Sequence, residues 1–120
     1  MSFPNITFKH TNTDVNYTLQ DLITSKLSTL ERYSSGKGDS RVEVEFAKIA
    51  PHQNGDVYQV EVNFLSDGVL YRATDVASTF ENAIDGVRSD LDSELKRART
   101  RKLSLWRKGA RKLKAMMRFG

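Results

Sequence analysis

Three consecutive stretches with a period of two constrain this chain more than anything else in it. RVEVEF, from Arg41, sets Val42, Val44 and Phe46 on one side and charged residues on the other. Tyr58, Val60, Val62 and Phe64 repeat the alternation, and Val69, Tyr71 and Ala73 form a third set. Turn-forming sequences separate them, HQNG at 52–55 and SDG at 66–68. Such alternation puts successive side chains on opposite faces of a strand, and strands joined by short turns make an antiparallel meander. Glu43, Glu45, Gln59, Glu61 and Arg72 predict a sheet that is wet on its outer side. The apolar side then needs a cover with a matching stripe.

Two segments supply that stripe. Leu19, Leu22, Ile23, Leu27 and Leu30 recur at three- and four-residue steps, with Asn16 or Thr18 as a cap and Ser34-Ser35-Gly36 as a stop. Phe80, Ala83, Ile84, Val87, Leu91 and Leu95 form a second stripe, opened by a capping box in which Ser78 and Glu81 satisfy each other's backbone N–H. It weakens through Ala98 and fails at Lys102. NITFKHT, 5–11, alternates as well and predicts a first strand with Ile6 and Phe8 facing inward. His10 shares their parity, so it is expected on the core side with its ring nitrogens hydrogen-bonded. The order β-α-β-β-β-α describes an α+β domain, with two helices packed on one face of a four-stranded mixed sheet. The first strand reaches the second through a helix, which predicts a parallel pair with a right-handed crossover. The expected division is a domain over residues 1–101 and a basic C-terminal tail over 102–120.

Charge marks the same boundary. All fifteen acids and eight of the nineteen basic residues precede Lys96, a net of −7; the remaining eleven basic residues lie between Lys96 and Gly120, without an acid. An acidic body with a cationic arm points to a polyanionic partner: RNA, DNA or an anionic membrane. Lysines and arginines about a helical turn apart can neutralise successive phosphates and release counterions. Leu103, Trp106, Ala110, Leu113 and Met117 step by three and four among the tail's cations, an amphipathic basic pattern that Gly109 weakens by about 1 kcal/mol. It suits an anionic membrane surface, or an RNA on which Trp106 or Phe119 stacks or wedges.

Catalytic chemistry finds little support. The chain has no cysteine, so it has neither a disulfide framework nor thiolate metal sites, in keeping with a cytoplasmic protein. Its start has no secretory layout, and no apolar run approaches the roughly 20 residues that cross a bilayer. His10 falls in a strand and His52 in a turn, and no metalloprotease, nucleophile-elbow or phosphate-loop pattern occurs. Asp90, Asp92 and Glu94 read as a solvated helix face, and Tyr17, Tyr33, Tyr58 and Tyr71 are too dispersed for a base-stacking pair. The expectation is a non-enzymatic protein without cofactor, metal or small-molecule substrate.

The layout resembles the ribosome hibernation promoting factor and ribosome-associated inhibitor family, in its short form. The resemblance lies in LQDLITSKLSTLERY in the first helix, the strand meander, and TFENAIDGVRSDLDSELKR in the second helix, with AID at 83–85 ahead of Leu91 and Leu95. It spans about residues 5–101. It implies a translation inhibitor that sits on the small ribosomal subunit between head and body, blocks the mRNA and tRNA sites and keeps ribosomes idle under stress. The family's basic positions fall on Lys26 and Arg32 in the first helix and on Arg97 and Arg101 in the second. The chain departs from the family pattern at Asp90, where a lysine is common, and at Ser93, where an arginine is. The candidate rRNA contacts are therefore Lys26, Arg32, Lys96, Arg97, Arg101, Lys102, Arg107, Lys108, Arg111, Lys112 and Lys114, weighted toward the tail. No segment is long enough for the second domain of long members, so the chain is expected not to pair ribosomes alone; off the ribosome it is expected to be a monomer. Two other readings remain open: a peripheral anionic-membrane or partner-binding protein using the tail, and a general double-stranded-RNA binder.

Overall fold

The computed structural model describes residues 5–33, 40–50, 55–66 and 68–118, with side chains through Arg101. Strands β1 (Asn5–Thr11), β2 (Ser40–Lys48), β3 (Tyr58–Ser66) and β4 (Val69–Ala77) lie side by side in chain order. β1 runs parallel to β2, and the other two pairs are antiparallel. Helix α1 (Tyr17–Ser28) continues into a 3₁₀ turn (Thr29–Tyr33), and helix α2 spans Phe80–Arg118. The α+β order expected from periodicity is the one observed.

Register explains the core. Ile6 pairs with Val42, Phe8 with Val44, Phe46 with Val60 and Val62 with both Val44 and Ala73. One face thus carries an apolar row from strand to strand. Ile23, Leu27 and Leu30 press on it from α1 and the turn, and Ala83, Ile84, Val87, Leu91 and Leu95 from α2, all of them buried. The Phe80 ring meets Phe46 edge-on at 5.4 Å and Tyr58 at 5.0 Å, a favoured arrangement for aromatic quadrupoles. Truncating a side chain such as Leu27 to alanine in a core of this kind costs about 2–5 kcal/mol.

Local signals settle most ends. Asn16 caps α1, its side-chain oxygen accepting from Leu19 N–H at 3.0 Å. α2 is capped by Thr79, whose Oγ1 accepts from Asn82 N–H at 3.1 Å, and not by the box expected at Ser78 and Glu81. Adjacent hydroxyls offered two frames; the cap at Thr79 makes Phe80 the first helical residue, with its ring in the core. The expected stop at 34–36 and the turn residues 52–54, including His52, lie outside the described residues. Gly55 and Gly68 follow with φ of +98° and +81°, values that glycine adopts without a Cβ penalty.

Two inward assignments do not hold. His10 is exposed: it is the last inward-parity residue of β1, an edge strand with a neighbouring strand on one side only. Val69, expected in the core set with Tyr71 and Ala73, is 51% exposed; it opens β4, the other edge strand. Outward, Arg72 donates from Nε to Asn63 at 2.8 Å and Thr11 donates to Glu45 at 2.9 Å, so the wet face carries a polar network.

Gly86 leaves room on α2 for the Asp75 side chain of β4. A Cβ at that position would collide with the carboxylate of Asp75. Replacing a helical glycine by alanine ordinarily stabilises by about 1 kcal/mol. Gly86→Ala requires the Asp75 carboxylate to turn away and is expected to yield less than that gain in thermal or urea unfolding, with Asp75→Ala restoring the gain when both changes are combined.

Candidate nucleic-acid interface

The two helices are joined turn by turn along their exposed seam. Lys26 Nζ lies 3.2 Å from Asp85 Oδ1. One turn on, Arg88 donates from Nε and Nη2 to Thr29 Oγ1 at 3.3 and 3.2 Å. A further turn on, Arg32 Nη2 and the Tyr33 hydroxyl both donate to Asp92 Oδ1, at 2.9 and 3.0 Å. Arg32 Nη2 also donates to the Tyr33 hydroxyl at 3.0 Å, and the guanidinium carbon lies 4.9 Å from the Tyr33 ring centroid. Residues 85, 88 and 92 share one face of α2 because steps of three and four return to the same side of a helix.

The Tyr33 hydroxyl bond, followed by the bond from Arg32 and its charge, holds the Asp92 carboxyl below the usual range against the opposing effect of desolvation. Arg32 is raised, first by its bond to Tyr33 and then by Asp92. Asp92 is thus an anchoring carboxylate rather than the solvated one expected from spacing. A carboxylate depressed on folding contributes stability above its unfolded pKa and loses it as pH falls through the folded value. Asp92→Asn is therefore expected to lower stability at pH 7, and the gap to the unaltered protein to close as pH drops below about 4.

Beyond this seam α2 changes character. Between Phe80 and Leu95 it carries Glu81, Asp85, Asp90, Asp92 and Glu94 against Arg88 alone, a net of −4. Among the residues whose side chains are described, Leu95 is its last core residue; Ala98 is half-buried, while Lys96, Arg97, Arg99 and Arg101 are exposed. Arg97 lies 3.6 Å from Glu94 across one turn, a pair exposed enough to be weak. The cationic run thus begins where the helix leaves the core. The helix does not break at 101–102 but runs on to Arg118. Lys102, Arg107, Lys108, Arg111, Lys112 and Lys114, with Trp106, lie on this continuation, their side chains outside the described set; Phe119 lies outside the described residues altogether.

The structure therefore separates the sequence-derived candidates. Lys26 and Arg32 are held against α2 by carboxylates, whereas Lys96, Arg97 and Arg101 stand on the projecting helix. Arg88 and Arg99 were not singled out by sequence. Arg88 falls within an acidic stretch, and its link to Thr29 has no sequence signature; Arg99 was legible in the run KRARTRK. Among the described residues no group of three His, Asp or Glu side chains could hold a metal, and no helix is long and apolar enough to cross a membrane.

The sequence pattern of the family described as Sigma 54 modulation protein / S30EA ribosomal protein matches residues 5–103. The chain belongs to that family. This is the hibernation-factor family to which the helix words pointed, and its pattern covers both helices of the seam. Two solved structures share the family's fold with this chain. The Thermus thermophilus Protein Y N-terminal domain superposes with a TM-score of 0.64 at 22% identity, covering 78% of this chain and 97% of that one. A ribosomal subunit interface protein from Coxiella burnetii superposes with a TM-score of 0.63 at 16% identity, covering 80% and 98%. No curated protein sequence matches the chain. The family pattern ends at residue 103, within α2, so fifteen helical residues follow it.

Proposed function

We propose that this protein is a ribosome-associated translation inhibitor that binds small-subunit rRNA in the cleft for mRNA and tRNA. In this reading it acts in the cytoplasm, is a monomer when off the ribosome, and keeps ribosomes idle and protected under stress. The observation that carries it is the placement of the cations: in a chain of a ribosome-associated family, the acid-free run begins where α2 leaves the core. The structural relatives, a ribosomal subunit interface protein among them, support the same partner.

The mechanism is occupancy rather than catalysis. Phosphates draw the cationic helix by Coulomb attraction and counterion release, a term that does not depend on base sequence. The shape of the folded domain supplies the selectivity, since a rigid body wedged in an RNA cleft excludes other occupants. The candidate contacts form two groups: Lys26 and Arg32 beside the helix seam, and Lys96, Arg97, Arg101, Lys102, Arg107, Lys108, Arg111, Lys112 and Lys114 along the second part of α2. Trp106 and Phe119 are candidates for stacking on unpaired bases.

Co-sedimentation with purified ribosomes tests the proposal. The full chain is expected to travel with the small subunit and the whole ribosome, and to slow translation of an added message. A chain ending at Lys102 is expected to bind at least tenfold more weakly at the same salt. Failure of the full chain to sediment with either particle, combined with binding to anionic vesicles, sinks the reading in favour of a membrane surface. Equal binding to any RNA duplex sinks it in favour of a general duplex binder.

A further inference from the structure

Arg88 is the only cation of α2 between Phe80 and Leu95, and it is not among the candidate contacts named above. It stands at the middle of the helix seam, between the Lys26–Asp85 pair and the Arg32–Asp92 pair. Asp85 lies one turn before it and Asp92 one turn after it on the same helix. Among the described residues Arg88 nevertheless forms an ion pair with neither. Its Nε and Nη2 donate instead to Thr29 Oγ1, at 3.3 and 3.2 Å. We propose that Arg88, seated by Thr29, contacts an RNA phosphate and joins the seam cations to those of the projecting helix in one row. The inference rests on the function proposed above and adds to it one contact and one positioning residue.

Thr29 holds the guanidinium without neutralising it. It is the C-cap residue of α1, and its hydroxyl donates to the Lys26 carbonyl at 2.7 Å. With that hydrogen engaged, the oxygen has its lone pairs left for Arg88. The negative end of the α1 dipole lies at the same place and favours a cation there. A guanidinium carries five N–H donors in a flat fork. Two are spent on Thr29, and the others remain for a phosphate, whose geometry the fork matches. The seam sets Lys26, Arg88 and Arg32 against Asp85 and Asp92, so one positive charge is in excess. Lys26 and Arg32 flank Arg88 with side chains 43% and 60% exposed. Along α2 the row continues: Arg99 follows Arg88 by about three turns on the same flank, Lys96 stands one turn before Arg99, and both are exposed. Cations set out in this way can neutralise a series of phosphates. Without Arg88 the row would have a gap from the seam to Lys96.

The test is a titration of purified small subunits with the full-length chain at several salt concentrations. Each phosphate contact contributes about −0.7 to −0.9 to the slope of log affinity against log salt. Arg88→Gln is expected to weaken binding about fivefold and to make the slope shallower by about one contact. A folding defect would lower the amount of competent protein without changing the slope, so the slope is the deciding readout. Arg88→Lys is expected to restore the slope but not the full affinity, because an ammonium cannot form the fork. Arg99→Gln is expected to remove about one contact as well, and the two glutamine changes together about two. Thr29→Val is expected to weaken binding about threefold and Thr29→Ser to leave it unchanged, since serine keeps the hydroxyl. In the Arg88→Gln background Thr29→Val is expected to cost nothing further, the coupling that a double-mutant cycle isolates. The inference is overturned if either glutamine change leaves the slope unaltered, or if Thr29→Val costs as much without Arg88 as with it. If the unaltered chain binds no subunits at any salt, the proposed function itself fails, a result distinct from either.

Discussion

The Phe80 ring, set edge-on between Phe46 and Tyr58, fixes where α2 begins and along which line it crosses the sheet. From that anchor the apolar stripe runs down the helix to Leu95, and every other feature takes its position from this path. Gly86 falls opposite Asp75 and makes room for its carboxylate. Asp85, Arg88 and Asp92 fall on the flank that meets α1. Lys96 falls where the buried stripe ends. A shift of the helix frame by one residue would rotate it by about 100° and undo all of these at once.

The fold was legible because its two periodicities are clean. Val42, Val44 and Phe46, and Val60, Val62 and Phe64, alternate without exception, and the helical stripes hold over several turns. Legibility failed where pattern gives no information about coverage. His10 and Val69 have inward parity yet lie at the ends of edge strands, where one flank is open. The cap of α2 was displaced by one residue because Ser78 and Thr79 are chemically equivalent at that level and only the seating of Phe80 distinguishes them.

The candidate interface was legible as composition but not as geometry. A run of cations without acids is visible in a sequence, and its position at the end of the core stripe follows from periodicity. The seam is not visible, because Lys26 and Asp85 are separated by 59 positions and nothing local relates them. Asp92 shows the limit most clearly. As one of three acids close together on a helix it looked like solvated surface; in the fold its Oδ1 takes hydrogen bonds from both Arg32 and Tyr33. Charge counted along the chain therefore does not show which cations the fold sets beside an acid.

Charge along α2 is ordered as the helix itself is ordered. Acids sit toward the end where backbone N–H groups are unpaired and cations toward the end where carbonyls are, so side chains complement the backbone dipole. Over 39 residues, about 58 Å at the usual rise, the side-chain charges form a long lever of their own. In the field of a polyanion such a lever experiences a torque before any contact is made. A protein charged in this way would turn as it approached such a partner, cationic end leading, and fewer encounters would be lost to the wrong orientation. A helix that looks like a simple continuation of the core would thus also set the direction of arrival at a polyanion.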